Sequence, residues 1–366
     1  MQVTAFAITR VSSPLGRALA ARLDADPSVT RIVGIDRAVP QMPPAKLDFV
    51  RADLRDPVLT RVLLGVDVLV HLDASHAMAG CGGPAADGSA AGGDAGAGAH
   101  VARGVLDAAA AAGAGTVVLV STALVYGARE TNPVPLTEDI APRAGPEYPP
   151  AHGALLTEDA VWAFARAQPD RRVVVLRPVT VLGRGIDSPV TRHLESPLLP
   201  MVRGYDPPVQ FVDVDDVAAA VQVVAAAPQA SGAYNVAADG WLTTSDVRRL
   251  LERPTVHLPV ETAVGLAALL HRGGLLATPP GALDYLMHPW VVDTARLCAL
   301  GWHPTSGQRD LLHQFVAEHG PWSSVGRIRV RTATALAVIA GAVAAAGLGA
   351  GWITGRRWRV RRAGPA

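Results

Sequence analysis

Lysine is almost missing from this chain. Lys46 is the only one in 366 residues, and arginine supplies every other permanent side-chain cation. Alanine and glycine are abundant, a bias that a GC-rich genome produces by itself, so the scarcity of lysine matters only where a site needs one. Cysteine is nearly as scarce. Cys81 and Cys298 are too few and too far apart for a disulfide framework or a zinc site, and no metal is expected. Excess charge is missing as well: 33 Lys and Arg against 32 Asp and Glu leave a formal net charge of +1, which gives no support to a nucleic-acid partner. No export signal opens the chain, because Met1–Thr9 runs directly into a strand-like apolar segment, and the N-terminal domain is expected in the cytosol. What remains is 49% apolar and 18% charged, a globular composition rich enough for a sizeable core. The length suits two or three average domains, or one large α/β domain with a second lobe.

Strand and helix patterns alternate through the first half. Val3–Thr9, Arg31–Asp36, Leu47–Val50, Val66–Leu72, Thr116–Ser121 and Arg172–Leu176 read as apolar strands. Helices are predicted at Leu15–Ala25, Val101–Ala112 and Leu155–Gln168. Such alternation predicts a doubly wound parallel sheet covered by helices on both faces, spanning residues 1–183. Ala79–Gly98 interrupts it with Gly, Ala, Asp and Ser in no apolar rhythm and is expected to be a flexible surface loop.

After Gly183 the chain becomes proline-punctuated, and residues 184–322 are expected to form a smaller lobe, part of it returning to the sheet. It holds a short helix at Val217–Ala226, with Asp215 or Asp216 as its N-cap, and a packing helix at Val260–Leu270 that is too short to span a bilayer. Thr332–Gly355 is different: 24 residues without a charge, between Arg327, Arg329 and Arg331 on one side and a basic tail, 356–366, on the other. Its length fits one membrane helix, although its Ala and Gly content also allows a helix lying on the surface. Gly347 and Gly351 form a small-xxx-small pair that would let two such helices approach, so a homodimer contact is expected there. The expected location is the cytoplasmic membrane, reached through lipid contact of this segment, with the folded domain facing the cytosol.

The first strand-to-helix turn reads Ile8-Thr9-Arg10-Val11-Ser12-Ser13-Pro14-Leu15-Gly16. A phosphate-binding turn places glycine where this chain has Arg10, Ser13 and Gly16, for a tight turn, close backbone approach to a pyrophosphate, and helix–strand packing. Only Gly16 is glycine. Taken alone, the segment is an ordinary strand–loop–helix turn; its position, with Asp36 ending the next strand, points to a dinucleotide. Asp36 has two readings of comparable weight. It is an acceptor for ribose hydroxyls that favours NAD over NADP, or a solvated acid at a strand end.

Six further segments follow in order: Phe49-Val50-Arg51-Ala52-Asp53-Leu54, Val68-Leu69-Val70-His71-Leu72-Asp73-Ala74, Val118 to Gly127, Val175-Leu176-Arg177-Pro178 with Gly183, Phe211 to Ala218, and Tyr234-Asn235-Val236. Together they resemble the extended short-chain dehydrogenase/reductases, in particular the NAD-dependent epimerase/dehydratase family that includes UDP-glucose 4-epimerase-like proteins, over roughly Val3 to Phe315. The resemblance implies a Rossmann-like NAD domain, a nucleotide-sugar substrate and redox chemistry. The cofactor set it implies is Thr9, Arg10, Ser13, Leu15 and Gly16 in the first turn, Asp36 and Arg37, Asp53 and Leu54 at the adenine, Leu72, Asp73 and Ala74 along the nicotinamide half, and Pro178. Thr122, four before Tyr126, matches the hydroxyl that bonds the substrate oxygen, and Tyr148 matches the acid/base.

The family's tyrosine depends on a lysine four positions on. Here that place holds His152, or Gly153 if the two prolines conceal an inserted residue. Thr180 sits where sugar-nucleotide enzymes commonly carry Asn, and Asp73 replaces a small residue. A lysine ammonium lowers the tyrosine pKa from about 10 toward neutrality, and a neutral histidine stabilises phenolate poorly. The expectation is therefore an epimerase, dehydratase or reductase with an impaired relay. A catalytically silent nucleotide-binding or scaffold protein at the membrane, and a hydroxysteroid-dehydrogenase-like enzyme with a lipid substrate, stand as alternatives. Bland readings remain beside the sharp ones: His152 as an exposed loop histidine, and Tyr126 as a packing residue at the sheet edge.

Overall fold

The computed structural model describes residues 4–73 and 96–320 apart from 275 and 277, with a short hairpin at 322–325 and 328–331. Ala74, most of the stretch 79–98, the uncharged segment 332–355 and the tail 356–366 lie outside the described residues. Among the described residues no helix is long and apolar enough to cross a membrane.

The centre is a seven-stranded parallel sheet in the order β3–β2–β1–β4–β5–β6–β11. Its strands are β1 (Thr4–Thr9), β2 (Val29–Asp36), β3 (Leu47–Arg51), β4 (Val68–Leu72), β5 (Thr116–Val120), β6 (Arg172–Pro178) and β11 (Gly232–Val236). Strands covered on both faces need apolar side chains on both, and β4 and β5 are buried at every position. Phe6, Ile8, Val70, Val118 and Leu176 point to one face, while Ala7, Val33, Leu69, Val117 and Val175 point to the other.

Helix α1 (Pro14–Ala25) lies on the first face. Pro14 at its first position has no N–H to satisfy, Ser13 caps it by accepting from Gly16 N at 3.0 Å, and Leu15, Leu19 and Leu23 form its buried stripe. The second face is covered by the single turn α2 (Leu59–Val62), by α3 (Ala97–Ala112) and by α4 (Pro149–Ala167), through Leu59, Val105, Leu106 and Val161. Residues 97 and 98, expected in the loop, are helical: α3 begins four residues before the predicted start, an extension its alanines favour.

The second lobe is assembled from short pairs. β7 (Thr180–Leu182) runs parallel to β10 (Phe211–Asp213), β8 (Leu199–Val202) runs parallel to β13 (Thr255–Leu258), and β9 (Pro208–Val209) runs antiparallel to β12 (Leu242–Thr243). Around them lie α5 (Pro189–Leu194), α6 (Val214–Ala226), α7 (Thr244–Leu251), α8 (Val260–Arg272), the single turns α9 (Asp284–Met287) and α10 (Ala295–Cys298), and α11 (Gln308–His319). Leu199, Met201, Phe211, Leu251, Leu312 and Phe315 share its core, while α6 joins α1 on the first face of the sheet through Val217, Val221 and Val224. α6 begins three residues before its predicted start, and its N-cap is Asp213, accepting from Asp215 N at 2.7 Å, not Asp215 or Asp216. Asp216 turns inward and receives Thr305 N and Oγ1 at 3.0 and 2.9 Å. In α8 Ala263 and Ala267 are the fully buried residues, while Val264, Leu266 and Leu269 are exposed.

Candidate active site

The strand order reverses between β1 and β4, and the crevice at their carboxyl ends is where an open parallel sheet takes a ligand. On leaving β1, the chain puts Arg10 in the left-handed region at φ +54°, a conformation that costs a side-chain-bearing residue about 1 kcal/mol. Three residues on, Ser13 acts as the helix cap. A Cβ on Gly16 would stand 2.5 Å from the Arg10 carbonyl oxygen and 2.7 Å from Val11 Cα, so only glycine fits there. The turn thus keeps the glycine required for packing and carries Arg and Ser at the other two positions.

Asp36 ties this turn to the end of β2. Its Oδ2 accepts from Ser12 N at 2.9 Å, and its Oδ1 accepts from Arg37 N at 2.7 Å and Ala38 N at 3.3 Å. A carboxylate offers about four acceptor sites, so one is left for a ribose hydroxyl. Asp36 is therefore a structural tether with capacity to spare. Arg37 reaches Asp53 at 3.7 Å, and Asp53 also accepts from Arg55 N at 3.0 Å. Leu54 is half-buried against the α2–α3 core. Leu15 and Leu72 are fully engaged in the core.

Thr9 is turned inward too. Its hydroxyl lies 3.0 Å from His71 Nδ1 and accepts from Leu72 N at 3.0 Å. Burial pushes the His71 imidazole down to about 4, with Asp73 opposing and Arg10 reinforcing the fall, so the ring is neutral. Asp73 is itself buried, facing the first turn of α3: a Cβ on Gly98 would lie 3.7 Å from Asp73 Oδ1 and 3.1 Å from Thr157 Oγ1.

Across the crevice, Thr122 follows β5. It accepts from Leu124 N at 3.3 Å, capping the 3-10 turn Ala123–Tyr126, and its Oγ1 stands 3.5 Å from the Pro178 carbonyl at the end of β6. Tyr148 is the residue before α4, which starts at Pro149. Tyr148 is 8% exposed, packs with Ala144 and Ala151, and lies 5.1 Å centroid to centroid from Tyr285 at 55°. Its hydroxyl has no hydrogen-bond partner among the described residues, and burial pushes the phenol up to about 12. The inward face of α4 presents Ala151, Ala154, Thr157, Glu158, Ala160 and Val161, with no cation. His152 is not the exposed loop histidine expected: it is half-buried inside α4, with Nδ1 3.2 Å from the Ala144 carbonyl. Thr180 opens β7, half-buried and paired in register with Phe211.

The strongest polar cluster beside this site was not anticipated. Arg177 on β6 pairs with Glu158 on α4 at 2.6 Å, both fully enclosed, and its Nη1 donates to Tyr126 Oη at 2.9 Å. Tyr126 in turn donates to Asn235 Oδ1 at 2.8 Å, and Asn235 N donates to Glu138 at 2.8 Å. Tyr126 is thus a fully buried hub, not an edge packing residue. Burial works against the Arg177 charge, but the Glu158 carboxylate holds its pKa above the ordinary value. One signal in the sequence pointed here: Glu158 stands on the same helical stripe as Ala151, Ala154 and Val161. Among the described residues no His, Cys, Asp and Glu group is placed to hold a metal. An open depression of about 670 Å³ between α1 and α6, lined by Ala18, Arg22, Asp26, Asp215 and Gln222, contains none of the predicted site residues.

Comparison with known proteins bears on the fold and the family. The model of the NAD dependent epimerase/dehydratase family matches residues 8–237. Uncharacterized proteins of Mycobacterium bovis and Mycobacterium tuberculosis are 31% identical over 300 residues, 79% of this chain and 77% of theirs. Among solved structures, MoeE5 in complex with UDP-glucuronic acid and NAD superimposes with a TM-score of 0.65 at 20% identity, covering 86% of this chain and 99% of that one. UDP-glucuronic acid 4-epimerase from Bacillus cereus, with UDP-glucuronic acid and NAD, gives 0.64 at 16% identity, with 86% and 99% covered. DesIV, a dTDP-glucose 4,6-dehydratase from Streptomyces venezuelae with NAD and TYD bound, gives 0.61 at 20%, with 86% and 97% covered. At these identities the superpositions speak for the fold, and the family match and the mycobacterial relatives speak for kinship: the chain belongs to the NAD-dependent epimerase/dehydratase family.

Proposed function

We propose that this protein binds NAD in the β1–α1–β2 crevice and a nucleotide sugar over Thr122 and Tyr148, and that its proton relay is nearly silent at neutral pH. The observation that carries the reading is the setting of Tyr148: a buried phenol pushed to about 12, with no cation on the helix face beside it. At pH 7 about one such group in a hundred thousand is phenolate, against about one in a thousand for an ordinary tyrosine.

The residues present suit a dinucleotide. The positive end of the α1 dipole would favour a pyrophosphate, Gly16 allows the helix to close on the turn, and Asp36 retains one acceptor that would repel a 2′-phosphate. Bound NAD would supply the hydride acceptor. The chain's own part is to orient a sugar hydroxyl with the Thr122 Oγ1 and to take its proton at Tyr148 Oη. Thr122 stands at the end of β5 for the first task, and the second lacks the cation that would make it efficient. The solved relatives that hold UDP-glucose or UDP-glucuronic acid support a nucleotide sugar as the ligand class.

Calorimetric titration with NAD, NADP, UDP-glucose and UDP-glucuronic acid tests the binding half; NAD binds more tightly than NADP, and tighter NADP binding would refute the role given to Asp36. For the relay, turnover at pH 7 is at background, rises about tenfold per pH unit above it, and increases in a His152→Lys variant. Rapid turnover by the wild type at pH 7 would refute it. On the sequence alone we further propose that residues 332–355 hold the protein at the cytoplasmic membrane. Recovery of the full chain in a detergent-free high-speed supernatant would overturn that.

A further inference from the structure

Segment 279–290 crosses the reaction end of the site, and its construction is uneven. Its far end is built into the fold. Trp290 is buried, Leu136 N donates to the Val291 carbonyl at 2.8 Å, Val292 N donates to Gln210 Oε1 at 2.7 Å, and Asn132 Nδ2 bridges the Pro289 and Gly127 carbonyls at 2.8 and 2.7 Å. Residues 279–289, by contrast, are all half-buried; Ala282 and Tyr285 rest on a small cluster of Ala144, Tyr148 and Ala151, and Tyr285 alone of them also touches the main sheet core, beside Trp290. A satellite cluster under a strap of chain opens at lower free energy than a core does.

Two contacts lay this strap on the site. Tyr285 donates its hydroxyl to the Leu124 carbonyl at 2.9 Å, two residues after Thr122, and sets its ring against Tyr148. Gly281 passes so close to Glu147, the residue before Tyr148, that a Cβ there would collide with the Glu147 carbonyl. Trp290 supports the latch, its ring 5.8 Å from that of Tyr285 and its Nε1 donating to the Tyr285 carbonyl at 3.2 Å. His288 leans edge-on against Tyr205 at 5.6 Å.

We infer that segment 279–290 is a strap latched by Tyr285, which covers Tyr148 in the resting protein and lifts to admit the sugar of a nucleotide-sugar ligand. The ligand class rests on the function proposed above; the strap itself rests on the geometry. A ring packed at a tilt against Tyr148 and a hydroxyl spent on the Leu124 carbonyl occupy the space beside the two residues that a sugar hydroxyl must reach. The resting state is therefore closed, and the apparent affinity for a nucleotide sugar is reduced by the fraction of molecules that are open.

The test uses the full-length protein in three forms: wild type, Tyr285→Phe, which keeps the ring and deletes the latch, and Gly281→Ala, which forces the strap away from Glu147. Hydrogen exchange followed by mass spectrometry is expected to show amides 281–288 exchanging several-fold faster in both variants, about 5-fold for the loss of one net hydrogen bond, with α4 and β5 unchanged. The apparent Kd for UDP-glucose tightens by a similar factor, and the Kd for NAD does not move. Spectrophotometric titration gives a second readout: in Gly281→Ala the Tyr148 phenol ionises nearer to its ordinary value. Equal exchange in all three forms, or faster exchange accompanied by weaker UDP-glucose binding, overturns the strap. If the exchange response appears but no form binds UDP-glucose, the strap stands and the nucleotide-sugar reading fails. Should Gly281→Ala fail to fold, Tyr285→Phe decides alone.

Discussion

Two tyrosines, Tyr126 and Tyr148, flank the same crevice in opposite surroundings. Tyr126 lies between Arg177, 2.9 Å from its oxygen, and Asn235, 2.8 Å away, with the Arg177 guanidinium also 4.9 Å above its ring. Tyr148 has aromatic and aliphatic neighbours and no hydrogen-bond partner among the described residues. Among the described residues a buried cation thus stands beside the tyrosine that organises the fold, and none beside the tyrosine to which the proposed proton transfer is assigned. Proximity of a cation does not by itself yield a reactive phenol either. Burial is the largest influence on Tyr126 and raises its pKa despite Arg177, while Glu158 consumes most of the guanidinium.

That contrast makes the polar side the costlier one to disturb. Glu158→Gln leaves the Arg177 charge enclosed without its counter-ion, and a loss of about 3–5 kcal/mol in denaturant unfolding is expected. The paired change Glu158→Leu with Arg177→Met removes both charges and recovers most of that loss. If the single change costs under 1 kcal/mol, the network is not what fixes α4 on the sheet.

Acid probes the cofactor side of the same crevice. The folded pKa of His71 is about 4, below its ordinary 6.5, so the unfolded chain binds the extra proton. Its contribution is complete above pH 6.5 and is lost as pH falls from 6.5 to about 4, on the order of 3 kcal/mol in all. His193, also held near 4 by burial, adds to the loss in the same window. Urea midpoints measured from pH 7.5 to 4.5 should fall steadily, with a shallower slope in His71→Asn. A flat profile would show that His71 titrates normally.

The sheet was legible because strands buried on both faces declare themselves as apolar runs, and Gly16 because the turn between β1 and α1 leaves no room for a Cβ there, whereas the hold of Asp36 on Ser12 N was not read from the sequence. The polar network was not legible. Glu158 and Arg177 are 19 positions apart on different elements, and no periodicity pairs a helix with the strand after it. Asp213, Asp215 and Asp216 are all acids able to cap α6, and only the fold shows that Asp216 is needed by Thr305. Tyr148 was singled out through the family resemblance, but its environment comes from Tyr285, 137 positions later, which no local pattern anticipates.

Tyr126→Phe is the next smaller perturbation. It strips Asn235 Oδ1 of a donor and Arg177 Nη1 of an acceptor in an enclosed site, so a loss of about 1–3 kcal/mol is expected. Loss below 0.5 kcal/mol would mean that water or a neighbour replaces the phenol.

Tyr148→Phe should cost the least and discriminates most sharply. Deleting a hydroxyl that bonds no described residue removes no hydrogen bond among the described residues, and the ring keeps its packing on Tyr285, Ala144 and Ala151. A change within about 0.5 kcal/mol is therefore expected, of either sign, since the phenol's own desolvation is relieved. Activity supplies the other half of the test. If turnover at high pH disappears in Tyr148→Phe while stability is untouched, the hydroxyl is the proton acceptor and its isolation explains the silence at pH 7. If Tyr148→Phe unfolds as readily as Tyr126→Phe, the two surroundings are not opposites, and a partner for the Tyr148 hydroxyl must be sought outside the described residues.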